Sequence, residues 1–176
     1  MILPIYTYGE EILRKKAEDV NLEDEEIQHV IENMFETMTN ANGAGLAAPQ
    51  IGLNKKIIVI DEMLSPKEHF RGVFINAKIL DTFGADVHGP EGCLSFPGIS
   101  GTVKRKESIY VEWYDENKTY YKSVFHNIRA RILQHEIDHV NGILMIDRMN
   151  YREKIKQFSQ LENIRKKKVL TNYPIV

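Results

Sequence analysis

His135, Glu136 and His139 stand in the run His135-Glu136-Ile137-Asp138-His139. On a helix, residues four apart lie one above the other, so both imidazoles point the same way and can share one metal ion. Glu136 lies about 100° round the axis from His135, since a turn holds about 3.6 residues. From there its carboxylate can reach a water on the ion without binding the ion itself, which is the zinc-hydrolase arrangement. The bland reading of the same residues is an exposed helix with two histidines and a scattered acid, because short motifs recur by accident.

A catalytic site of this kind needs three protein ligands and one open position. Downstream candidates are poor. In the pattern HExxHxxGxxH, Gly142 fits but the last position is Met145, a thioether. Glu153 and Glu162 are the acids that a distant-glutamate pattern would need, and both fall in a charged C-terminal stretch. Upstream, Cys93 lies in Glu91-Gly92-Cys93-Leu94-Ser95. A lone cysteine is more often a small buried apolar residue, but beside His135 and His139 its thiolate is the better third ligand. A structural zinc site is disfavoured, since such sites carry four Cys/His ligands and only three gather.

A third segment, Gly43-Ala44-Gly45-Leu46-Ala47-Ala48-Pro49-Gln50, combines backbone freedom with an amide donor. Amide hydrolysis passes through a tetrahedral oxyanion that needs such a donor. Taken alone, the segment reads as a helix end and turn with a solvated glutamine. It lacks the Lys-Ser/Thr of a phosphate loop.

These segments need elements to position them. Residues 24–41 predict a helix, with Ile27, Val30, Ile31, Met34, Phe35 and Met38 on one face, Asp24 as its cap and Gly43 after its end. Residues 43–52 read as a shaped loop. Strands are expected at 56–60 and 72–75, and a hairpin of 108–114 with 119–125 turned by Asp115–Lys118. A helix over 128–141 carries the histidines and ends at Gly142. A last helix over 151–168 places Tyr151, Ile155, Phe158 and Leu161 on one face. Strands flanked by helices point to an α+β domain.

The 176 residues fit one domain, 1–176, whose part from 150 onward is a C-terminal helix and tail. Apolar residues make up 43% and charged residues 27%, ordinary for a soluble globular chain. The net charge of −2 gives no ground for DNA or an acidic membrane as partner. The apolar start contains Pro4 and Gly9 and lacks a basic n-region, and no apolar run is long enough to span a bilayer, so a cytoplasmic protein is expected. Cys93 is the single cysteine and excludes an internal disulfide.

In their order, GAGLAAPQ at 43–50, EGCLS at 91–95 and QHEIDH at 134–139 resemble the peptide deformylase family, whose pattern is GxGLAAxQ, EGCLS and QHExDH. The layout matches from the N-terminal helix to the HEIDH helix, and the C-terminal helix and Ile137 look like the bacterial type 1 subgroup. Two positions depart from the pattern. Asn127 stands where many members have glycine, and as a good cap it is expected to keep the helix start. Ala44 stands where a larger aliphatic is common, which widens the expected pocket.

The resemblance implies an α+β fold with mixed or antiparallel sheets around a central metal-binding helix. It implies removal of the formyl group from N-formylmethionyl nascent peptides. Cys93, His135 and His139 would hold one divalent ion, Fe2+ by nature, with Zn2+, Ni2+ or Co2+ as substitutes. Glu136 would move the proton, Gln50 and the Leu94 N–H would polarise the formyl oxygen, and the Gly45 backbone would help hold the peptide. Ile128 and Ile132 share the ligand face of the helix and, with Ala44 opposite, are the expected methionine pocket; plain core packing explains either isoleucine equally well. Glu91 and Arg105 form an expected supporting ion pair. An endopeptidase using the same HExxH chemistry is the alternative enzyme, and a degenerate deformylase that only binds nascent chains the non-enzymatic one.

From Asn150 to Lys168, seven basic residues oppose only Glu153 and Glu162, a net +5 on a chain of net −2. A solvated helix end accounts for Arg165–Lys168. The earlier cations, Arg152, Lys154 and Lys156, suggest docking on ribosomal RNA, with the segment dispensable for turnover of a short peptide.

Overall fold

The computed structural model describes residues 1–176. Its fold follows from the run Ile57-Ile58-Val59-Ile60, which opens β2 (Ile57–Ser65). Successive side chains of a strand point to opposite faces. Ile57 and Val59 pack with Ile31, Met34 and Met38 of α1 (Ile27–Asn40), while Ile58 and Ile60 pack with Leu133 and Ile137 of α2 (Asn127–Val140). β3 (Glu68–Gly92) repeats the division, with Val73 and Ile75 on the α1 side and Phe70 and Phe74 on the α2 side. An unbroken apolar run is what a strand covered on both faces requires.

One five-stranded sheet in the order β1-β2-β3-β4-β5 completes the α+β architecture, with β1 at Gly45–Ala47, β4 at Ser100–Tyr114 and β5 at Tyr120–His126. Every neighbouring pair is antiparallel. The expected mixed or antiparallel sheets are one antiparallel sheet, and parallel pairing is confined to the isolated bridges Ile5–Ile175 and Glu18–Lys55. The short α3 (Met145–Arg148) and then α4 (Tyr151–Arg165) follow α2.

Several expectations need correction. The strands expected at 56–60 and 72–75 are fragments of much longer ones. Beyond Phe83↔Ser108 the far half of β3 pairs with β4 as a two-stranded ribbon, from Asp86↔Lys106 to Gly92↔Ser100, whose β3 strand is mostly exposed. The ribbon's covered side carries the charged Glu91 and Arg105 beside Val103, which masks any apolar alternation. α1 starts at Ile27, not at residue 24: Asp24 Oδ1 instead accepts the Glu26 N–H (3.0 Å) in the preceding turn. Asn127 is not the cap of α2 but its first residue, at φ 53°. That left-handed backbone favours glycine and tolerates asparagine. In α4 only Leu161 of the four expected face residues is buried, joined by Ile164. Tyr151, Ile155 and Phe158 are 76%, 55% and 65% exposed. The helix rotates so that Gln157 and Gln160 donate to the Ser100 and Gly98 carbonyls (3.3 and 2.8 Å), turning that apolar stripe to solvent.

No helix is long and apolar enough to cross a membrane.

Candidate metal centre

Cys93 follows directly on the tip of the β3–β4 ribbon, and α2 crosses beneath it. Cys93 Sγ lies 3.2 Å from His139 Nε2, and one ligand atom each of Cys93, His135 and His139 falls within 4.8 Å of the others. That spacing lets all three reach one ion. Both imidazoles are buried, and the buried His139 Nδ1 has no hydrogen-bond partner. His135 Nδ1 meets Glu91 Oε2 at 2.9 Å, the carboxylate contact that orients a ligating histidine and leaves its other nitrogen for the ion.

The two imidazoles are pushed in opposite directions. Burial alone would lower the His135 pKa, but its hydrogen bonds to Cys93 and Glu91 and the neighbouring negative charges outweigh it and hold the group well above the ordinary value. Burial, then the charges of His135 and Arg105, push His139 well below. A soft thiolate with two imidazoles is a donor set for zinc, iron, cobalt or nickel.

Glu136 is buried, and its Oε2 has no partner. Burial raises its pKa to about 7, helped by the Glu91 charge and opposed by His135 and Arg105. A group that titrates near neutrality is poised to take and return a proton. Its place depends on Gly45, since a Cβ there would come within 2.5 Å of Glu136 Oε1.

Gln50 lies in the single-turn 3-10 helix Ala48–Ile51. The Ala47 N–H donates to its Oε1 (2.9 Å), so its Nε2 faces Ser95 Oγ (3.1 Å) and Cys93 Sγ (3.6 Å). The Leu94 N–H, by contrast, donates to no protein group. β1 is an edge strand, so Gly45 also has a backbone edge without a strand partner. Ala44, Ile128 and Ile132 line the same cleft of about 450 Å³, together with Cys93, His135 and Glu136. Ile128 is 48% exposed at its mouth.

The expected Glu91–Arg105 pair is present and belongs to a larger buried network. Arg105 donates to Glu91 twice (2.7 and 2.9 Å) and to Asp138 Oδ2 (2.6 Å). Arg131 adds a bond to Glu91 (2.7 Å), and Arg148 two to Asp138 (3.0 and 2.7 Å). Burial opposes the Glu91 charge, yet the His135 and Arg105 hydrogen bonds bring its pKa down to about 2.

Sequence reasoning missed Asp138, Ser95, Arg131, Arg148 and Tyr173. Asp138 was within the motif, but nothing local named its arginines. Tyr173 lines the cleft from the far end of the chain, and its hydroxyl donates to the Leu94 carbonyl (2.8 Å). Burial, then Cys93, raises its pKa to about 12, so it keeps that proton.

The downstream ligand candidates do not join the centre. Met145 is buried in the core with Phe96 and Leu144, Glu153 accepts from the Thr102 N–H, and Glu162 pairs with Arg165. That removes the geometric basis of the endopeptidase alternative.

The family model described as polypeptide deformylase matches residues 2–155. A peptide deformylase of Karelsulcia muelleri (strain GWSS) is 44% identical, over 84% of this chain and 78% of its own length. One from Chlorobium phaeobacteroides (strain BS1) is 40% identical, over 99% of this chain and 95% of its own. The crystal structure of peptide deformylase from Thermus thermophilus superposes with a TM-score of 0.86 at 37% identity, over 96% of this chain and 100% of that one. With its three motifs converging on one cleft and relatives of this similarity along nearly its whole length, the chain belongs to the polypeptide deformylase family.

Proposed function

We propose that Cys93, His135 and His139 hold the one divalent ion with which this deformylase removes the formyl group from N-formylmethionyl nascent polypeptides, releasing formate. The observation that carries the reading is the meeting of three ligand atoms within 4.8 Å beside a buried glutamate with an unpartnered oxygen. When bound, the ion would supply Lewis acidity, which brings the ionisation of water towards neutral pH and polarises a carbonyl. Glu136 takes a proton from the attacking water and hands it to the leaving amine nitrogen. The Gln50 amide, fixed by Ala47, and the free Leu94 N–H are the donors for the formyl oxygen. The open edge at Gly45 holds the peptide backbone. Ile128 and Ile132, with Ala44, receive the methionine side chain; Ala44 leaves that pocket roomy. Residues 1–176 act as one catalytic domain, a reading supported by Leu161 and Ile164 of α4 packing in the same core as Phe96 and Val103.

Metal analysis joined to a formate-release assay on formyl-Met-Ala-Ser is the direct test. Cys93→Ala and His139→Ala should each lose stoichiometric metal and turnover; full occupancy in both would sink the ligand assignment. Fe2+ is the physiological ion of this reading, supported by the thiolate-containing donor set. Iron-loaded enzyme should then lose activity in air faster than nickel-loaded enzyme, because Fe2+ and Cys93 are both oxidisable. Equal lifetimes would argue for another ion.

The enzyme works in the cytoplasm, where nascent chains emerge, and α4 docks on ribosomal RNA. Supporting this, Arg152 and Lys156 are exposed beside the bare Tyr151, Ile155 and Phe158. Lys167 is engaged with Glu10, and Arg165 and Lys166 with Glu162, which leaves Lys168 and the earlier cations unpaired. Removing everything after Asn150 is not a clean test, contrary to the expectation from sequence, because it would strip Leu161 and Ile164 from the core. Arg152→Ala with Lys156→Ala should instead weaken salt-sensitive co-sedimentation with ribosomes and spare turnover of a short peptide. Unchanged sedimentation would leave α4 as packing only.

A further inference from the structure

Beyond the region matched by the family, the chain continues through most of α4 into a tail, 166–176, that returns to the site. The tail is fastened to the N-terminal segment on both sides of Tyr173. Lys167 Nζ donates to Glu10 Oε1 (2.6 Å), the Ile5 N–H to the Pro174 carbonyl (2.9 Å) and the Val176 N–H to the Ile5 carbonyl (2.9 Å). The Thr171 hydroxyl also donates to the Tyr173 carbonyl (2.6 Å). Tyr173 thus reaches the cleft as a fixed, half-buried side chain.

Its hydroxyl completes a pattern in the site turn. Three consecutive carbonyls each accept from a different part of the chain. Cys93 accepts from the Phe96 N–H (2.9 Å), Ser95 from the Tyr8 N–H (2.9 Å), and Leu94 from Tyr173 (2.8 Å). A peptide unit is planar, so holding the Leu94 carbonyl fixes the plane between Leu94 and Ser95 and restrains rotation at Leu94. The Leu94 N–H, which no protein group accepts, lies in the preceding peptide plane with the Cys93 carbonyl, so Phe96 and Tyr173 hold the two planes that meet at Leu94.

We propose that Tyr173 is a positioning residue of this site: its hydroxyl, through the Leu94 carbonyl, keeps the Leu94 N–H aimed at the substrate oxygen. The inference rests on the donor role given to Leu94 in the proposed function.

Full-length, zinc-loaded Tyr173→Phe keeps the ring and loses the hydroxyl. Its kcat on formyl-Met-Ala-Ser should fall roughly five- to tenfold, about the worth of one neutral hydrogen bond. KM should stay within about twofold, as befits an interaction felt in the transition state. Zinc content should be unchanged. In protein labelled with isotopic leucine, the Leu94 amide resonance should shift and exchange faster with solvent, a readout that needs no turnover. An unchanged kcat overturns the inference, and so does a raised KM with kcat intact, which would make Tyr173 a mere wall. Loss of zinc overturns it too, since Tyr173 would then act through Cys93. A parent enzyme that releases no formate would defeat the deformylase reading by itself, while the Leu94 amide would still decide what Tyr173 holds.

Discussion

Arg105 and the cations of α4 carry the same charge in opposite circumstances. Arg105 is 4% exposed and makes bonds to two carboxylates, one of which orients His135. Arg152 and Lys156 stand in water. Taking a charge out of water costs several kcal/mol, so a buried charge survives only when its partners are in place, and removing one strands the rest. A surface charge costs little to keep and little to lose. The interior charges therefore fix the geometry of the centre, while Arg152 and Lys156 of α4 are exposed to water and Arg165 pairs only with its helix neighbour Glu162.

Breaking the buried side should have the largest effects. Glu136→Ala should keep the metal and lose roughly a hundred- to ten-thousand-fold in kcat, the range for a general acid–base group. Turnover within a few-fold of the parent would remove Glu136 as the proton carrier. Gln50→Leu should cost roughly a hundred- to a thousand-fold, as deletion of one oxyanion donor does; an unchanged rate would return Gln50 to a turn role. Arg105→Leu should destabilise the fold by about 3–5 kcal/mol in urea titrations, because Glu91 and Asp138 lose a buried partner. A shift no larger than that of an exposed lysine would erase the contrast.

Asp147 tests the boundary between the two regimes, being partly exposed. Burial would raise its pKa, but the Arg14 hydrogen bond and the Leu144 N–H outweigh it and hold it below 3.8. A carboxylate depressed in the folded state adds stability that is fully present above about 3.8 and fades as pH falls through the lower folded value. Asp147→Asn should thus be less stable than the parent by under about 1 kcal/mol at pH ~7, and the gap should close in strong acid. Equal gaps at both pH values would deny the ion pair a role. At the exposed end, Lys154→Ala and Lys156→Ala should each change stability by less than about 0.5 kcal/mol. A larger loss in either would mean that α4 is held by charge after all.

What was legible in the sequence was what local spacing encodes. His135, Glu136 and His139 sit on one helix because a helix repeats, and α1 shows its buried face for the same reason. Cys93 could be joined to them only by ligand counting and the three-motif resemblance, as its spatial neighbours lie more than forty residues away. Partners with no period stayed hidden. Asp138 draws Arg105 from β4 and Arg148 from α3, and the far half of β3 is mostly exposed, with the charged Glu91 at its covered end. In α4 the apolar spacing was real, but spacing cannot say which way a helix will roll once Gln157 and Gln160 find carbonyls.

The turn that carries Cys93 is clasped from two directions, by Tyr8 near one end of the chain and by Tyr173 near the other. A polypeptide is made from its amino end, so residue 94 exists long before residue 173 does. During its own synthesis the enzyme would have its ligands, its base and its sheet while the last fastening of the turn was still missing. That fastening waits for residues 167–176, and a product cut short just before Tyr173 would keep Leu161 and Ile164 in its core but lack the bond to the Leu94 carbonyl.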